Sequence, residues 1–119
     1  MTRTQAMAYL RKNIKDEGYF QKNIIKALNI KYPLAFVTKI AQGAYSQSGI
    51  PDVLCIVDGH YFGFEVKRPI LGKPSKVQLQ TIRWISDAGG TAAVVSYPEE
   101  CFAIIEEWRN HEREKSKIQ

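Results

Sequence analysis

The sequence predicts an α/β fold, a mixed β-sheet with helices on its faces, and three observations carry that reading. Asp58-Gly59 stands between two β-rich runs, the strongest short-range signal for a two-residue type I′ hairpin. A helical segment from Ser75 is followed by the short apolar run 91–96, so the hairpin continues into a strand-helix-strand unit. Helical periodicity brackets this core on both sides, after Asp16 and after Pro98.

Taken in order, residues 3–14 carry Ala6, Met7, Leu10 and Ile14 at helical spacing and read as a short helix or an arm over 1–15. Asp16 is placed to cap a helix running to about Asn29, whose apolar stripe is Phe20, Ile24, Ile25, Ala27 and Leu28. After Pro33, residues 34–40 read as a strand, and 41–49 as a polar loop without apolar period. The hairpin occupies 52–67. Ser75 can cap a helix through Ala88, which Gly89-Gly90 ends. The nearly all-apolar run 91–96 reads as an interior strand. Pro98 opens the last helix, with a stripe of Cys101, Ile104, Ile105 and Trp108 that fades into a charged tail over 109–119.

A chain of 119 residues is expected to form one domain, 1–119. Hydrophobic residues at 45% and charged residues at 24% describe a soluble globular protein. No apolar run approaches a membrane span, and Met1 to Ile14 lacks the apolar centre of a signal peptide, so a cytoplasmic protein without membrane partners is expected. Cys55 and Cys101 lie far apart without CxxC spacing and read as buried thiols. His60 and His111 read as solvated surface, which leaves zinc and histidine-based nucleophiles without support. A net charge of +5 and a pI of about 9.3 favour a polyanionic partner.

The hairpin carries the chemistry. If Asp58-Gly59 is the loop, Val57 pairs with His60, and counting outward sets Asp52 directly opposite Glu65. Side chains alternate, so Asp52, Leu54, Ile56, Tyr61, Gly63, Glu65 and Lys67 share one face, while Val53, Cys55, Val57, Phe62, Phe64 and Val66 form a core on the other. Two carboxylates roughly 5 Å apart repel unless a cation stands between them. Hard divalent cations prefer oxygen ligands, and Mg²⁺ takes one or two carboxylates plus substrate phosphate. Lys67 beside them could orient a water or neutralise charge developing on a phosphate. On geometry alone the pair reads equally as a strand-edge Asp and a solvated Glu.

Gln78, Ile82 and Ile85 follow at helical spacing, which sets Gln78 at the start of a core-facing stripe where an amide needs a partner. Glu17 and Gln21 extend the stripe of the helix after Asp16 toward one end. For Glu17 the ordinary reading is a first-turn acid favoured by the helix dipole. Candidate nucleic-acid contacts are Lys39, Arg68, Lys73, Lys76 and Arg83, with Tyr45, Ser46, Gln47 and Ser48 of the long loop, each of which also reads as solvated surface.

Pro51-Asp52 followed by Glu65-Val66-Lys67 resembles the PD-(D/E)XK nuclease superfamily. The segments "GIPDVLCIVDGHYFGFEVKRP" and "GKPSKVQLQTIRWISDAGGTAAVV" resemble, more narrowly, the VRR-NUC family of virus-type replication-repair nucleases, over residues 17 to about 100. The resemblance implies a restriction-endonuclease-like core and Mg²⁺-dependent hydrolysis of DNA phosphodiesters, with Mn²⁺ able to substitute. It implies Asp52, Glu65 and the main-chain carbonyl of Val66 as metal ligands, Lys67 as the catalytic lysine, Gln78 as the family glutamine and Glu17 as the acidic residue of the first helix. Stand-alone relatives are phage and bacterial homodimers, some of which cut branched DNA such as four-way junctions. Two rival expectations remain: a DNA-binding module of the same fold that does not cut, and an assembly subunit working through its last helix.

Overall fold

The computed structural model describes residues 1–41 and 48–118. Helix α1 (Arg3–Asn13) precedes α2 (Glu17–Lys31), followed by strands β1 (Phe36–Lys39), β2 (Val53–Val57) and β3 (His60–Val66), then α3 (Lys76–Asp87), β4 (Thr91–Val95) and α4 (Pro98–Ile118). The caps explain the helix starts. Asp16 accepts from the Tyr19 amide at the head of α2, and Ser75 forms a reciprocal capping box with Gln78 at the head of α3.

The four strands form one sheet in the order β1-β2-β3-β4, antiparallel from β1 to β3 and parallel between β3 and β4. Asp58 and Gly59 both take positive φ, 51° and 77°, as a type I′ turn demands, and Val57 pairs with His60. The register expected from the turn therefore holds along the whole hairpin, with Val53 opposite Phe64 at its far end.

Parity then sorts the faces. Val53, Cys55, Val57, Phe62, Phe64 and Val66 are all buried, and they pack with Phe20, Ile24 and Leu28 of α2 and with Cys101 and Ile105 of α4. Both cysteines are buried free thiols. α3 covers the opposite face near β3 and β4, where Ile85 reaches Gly90 beside the Tyr61 ring. The result is a mixed sheet flanked by helices.

Several expectations need correction. β4 is an edge strand, paired with β3 alone among the described residues. Its apolar composition reflects coverage on both faces by α3 and α4, which says nothing about its edges. β1 begins at Phe36, two residues late, because a turn from Tyr32 to Ala35 uses the Ala35 amide, which donates to the Tyr32 carbonyl at 3.0 Å. The charged segment after 109 continues α4 to Ile118, with Glu112–Lys115 and Glu114–Lys117 pairs along it. His60 is half-buried and not solvated: its ring stacks on Trp108 at 4.4 Å, Nε2 lies 2.8 Å from the Thr91 hydroxyl, and burial lowers its pKa.

Candidate metal centre

The site forms where β1, β2 and β3 meet the head of α2. Continuing the hairpin register by one residue past Val53 and Phe64 brings Asp52 opposite Glu65. Asp52 is held at both ends: its carbonyl accepts from the Ile40 amide at 2.7 Å, and its Oδ2 accepts from the Val66 amide at 2.9 Å. Gly63, on the same face as Glu65, makes room for this arrangement. A Cβ there would meet the Tyr61 hydroxyl and come within 2.9 Å of Pro51 Cγ, so only glycine lets the Tyr61 ring and Pro51 pack under the Asp52 turn.

Glu65 is 1% exposed, an unusual place for a carboxylate. Its Oε1 accepts from Gln78 Nε2 at 2.7 Å and lies 3.5 Å from Lys67 Nζ. Among the described residues no donor reaches its buried Oε2, and the carboxyl group can share a hydrogen bond with Asp52 only when it is protonated. Burial is the largest influence on its acidity, and the Asp52 carboxylate adds to it, so the pKa is pushed up to about 7 despite the opposing Lys67 charge.

Glu17, in the first turn of α2, completes the cluster. One carboxylate oxygen from each of Glu17, Asp52 and Glu65 lies within 4.8 Å of the others. Glu17 is half-buried and accepts from Gln21 Nε2 at 3.4 Å. Its pKa is raised, chiefly by burial and further by Asp52, against the pull of Lys67 and Lys39. Three partly desolvated carboxylates this close, with one buried oxygen unpartnered, are a donor set suited to a hard divalent cation. Lys67 is fixed by its backbone, its amide donating to Val95 and its carbonyl accepting from the Ser96 hydroxyl at 2.7 Å.

The remaining candidates divide. Lys39 lines an open cleft with Gln21, Ile40, Ala41 and Asp52. Lys73, Lys76 and Arg83 are exposed, on and just before α3, and Ser48 is exposed at the end of the long loop. Tyr45, Ser46 and Gln47 lie outside the described residues. Arg68 has a different occupation from the phosphate contact expected of it. Its Nε donates to the Lys15 carbonyl at 2.9 Å, and one terminal nitrogen donates to the Arg11 and Ile14 carbonyls at 3.1 and 2.7 Å. Neither this clamp nor the Ser96 support has a sequence signal, because the acceptors are backbone carbonyls.

No family model and no curated protein matches this chain. A solved structure described as a VRR_NUC domain does, with a TM-score of 0.57 and 27% identity, over 76% of this chain and 94% of that one. The mixed sheet flanked by helices is consistent with the restriction-endonuclease-like core that the motifs imply. The chain is thus similar in both fold and sequence to a VRR_NUC domain, which supports the VRR-NUC resemblance of residues 17 to about 100.

Proposed function

We propose that this chain is a single-domain, metal-dependent endonuclease that hydrolyses DNA phosphodiesters with water as the nucleophile. The observation that carries the reading is the unpartnered, buried Oε2 of Glu65 inside a trio of carboxylates, with an ammonium 3.5 Å from its other oxygen. A binding surface alone has no need of clustered acids, which repel the phosphates it would attract. The similarity to a VRR_NUC domain supports the same class.

Asp52, Glu65 and Glu17, with the Val66 carbonyl, are the residues proposed to hold the cation, taken to be Mg²⁺ with Mn²⁺ as a substitute. A cation bound there supplies Lewis-acid stabilisation of a phosphoryl oxygen and acidifies water. The protein's own part is orientation. The Val66 amide fixes Asp52, Gln78 fixes Glu65, and the raised pKa of Glu65 means that it releases a proton near neutrality on becoming a ligand. Lys67 is close enough to balance charge building on the phosphate, and Lys39, Lys73, Lys76 and Arg83 would meet neighbouring phosphates.

Branched DNA is the proposed preferred substrate and a homodimer the proposed active form, since paired cuts need two sites related by a two-fold axis. An apolar strip supports dimerisation: Leu34 is 100% exposed, and Phe36 and Ile56, paired across β1 and β2, are 61% and 37% exposed. It lies toward the other end of those strands from Asp52. Among the described residues no helix is long and apolar enough to cross a membrane, and a cytoplasmic location is proposed.

The test is a gel assay of wild type and Lys67→Ala on linear, flapped and four-way DNA with Mg²⁺, Mn²⁺ or EDTA. Metal-dependent cleavage by wild type, reduced at least about 100-fold in Lys67→Ala with DNA binding retained, is the expected result. DNA that shifts but is never cut would favour a non-cleaving module.

A further inference from the structure

Nearly all of the chain's net positive charge sits in its first 15 residues. Arg3, Arg11, Lys12 and Lys15 contribute four charges and no acid accompanies them, while the other 13 bases against 12 acids leave residues 16–119 at +1. All four side chains are exposed. Ala6, Met7, Leu10 and Ile14 are half-buried, so α1 turns an apolar side inward and leaves its cations in solvent.

Two independent tethers fix this basic segment beside the carboxylate cluster. The chain runs from Lys15 through Asp16 directly into Glu17, one of the clustered acids. From the other side Arg68, the residue after Lys67, donates to the carbonyls of Arg11, Ile14 and Lys15 at the end of α1. This second tether also serves an electrostatic purpose. The C-terminal end of a helix carries partial negative charge and repels anions, and the guanidinium offsets it where phosphates would approach.

We infer that residues 1–15 form a basic arm that grips the phosphate backbone of the nucleic acid beside the scissile position, held in register with the carboxylates by Arg68. The inference rests on the nuclease reading above. α1 is about 16 Å long, enough to span a few successive phosphates of one strand, whose charges rise about 3.4 Å each along the duplex axis. The outer part of α4 offers no comparable attraction, since from Glu106 onward its four acids are matched by four bases, Arg109, Arg113, Lys115 and Lys117. Arg68 is thus a positioning residue, acting on the substrate through α1.

The test measures binding of a labelled four-way DNA by fluorescence anisotropy in EDTA across a range of KCl concentrations. Wild type is compared with the full chain bearing Arg3→Ala, Arg11→Ala and Lys12→Ala, and with a control bearing Arg113→Ala, Lys115→Ala and Lys117→Ala, which removes the same charge from α4. The arm variant should lower the slope of log K against log salt by about 0.9 for each phosphate that the arm no longer neutralises, up to about 2.7, while the control keeps the wild-type slope. Arg68→Met should also weaken binding, with faster hydrogen exchange at residues 3–13. Equal slopes in wild type and arm variant, or equal reductions in arm variant and control, overturn the arm alone. Absence of both binding and cleavage in wild type overturns the nuclease reading itself.

Discussion

Glu65→Gln should make the metal-free protein more stable at alkaline pH, because the native fold holds a carboxylate where a carboxylate is poorly tolerated. Glu65 is buried beside Asp52, and its pKa is pushed from the ordinary 4.5 up to about 7. Below pH 4.5 the side chain is protonated whether the chain is folded or not, and its titration has no effect on stability. Between 4.5 and about 7 the unfolded chain ionises while the folded one keeps its proton, so stability falls as pH rises. Above about 7 the full cost applies, on the order of 3 kcal/mol. Glutamine keeps an acceptor for Gln78 and removes the titration. Urea unfolding in EDTA from pH 5 to 8.5 should therefore show the difference between variant and wild type growing in the variant's favour, by most of that amount. Subtracting the two curves cancels Glu17, whose raised pKa slopes the same way, and His60, whose lowered pKa slopes the other way. A difference that stays constant across this range would refute the reasoning.

Gln78→Leu removes both the bond to Glu65 and the reciprocal acceptor for the Ser75 amide, and should cost about 2–3 kcal/mol in urea unfolding; a loss under about 0.5 kcal/mol would contradict the paired role. Gly63→Ala drives a methyl into the Tyr61 hydroxyl and should cost about 1–3 kcal/mol. Combining it with Tyr61→Phe should recover part of that loss, and no recovery would mean that the collision lies with Pro51 instead.

The hairpin is legible in the sequence because two local rules decide everything in it. An Asp-Gly turn sets the register, and strand parity then assigns Asp52 and Glu65 to one face and six apolar residues to the other. Gln78 is legible as an inward amide at the head of a helix, although its double duty to Ser75 and Glu65 emerges only in the structure. The edge position of β4 is hidden because apolar composition reports covered faces and is silent about paired edges. The burial of His60 is hidden because its partners, Trp108 and Thr91, come from elements that only the tertiary fold brings to the hairpin turn. Arg68 looks like one more cation beside Lys67, and nothing in the sequence distinguishes an arginine aimed at phosphate from one aimed at the carbonyls that end a helix. The extension of α4 does carry a signal, the acid-base pairs three residues apart along the tail, which a reading by apolar stripe alone passes over.

The central claim, that Glu17, Asp52 and Glu65 form a divalent-cation site, is tested most directly by calorimetric titration of Mg²⁺ into metal-free wild type and Glu65→Gln at pH 7, in buffers of different ionisation enthalpy. Wild type should bind cation with release of a fraction of a proton, as a ligand whose pKa burial raises toward neutrality implies, and Glu65→Gln should bind at least about tenfold more weakly with less proton release. Equal affinity and equal proton release in the two proteins would contradict the assignment.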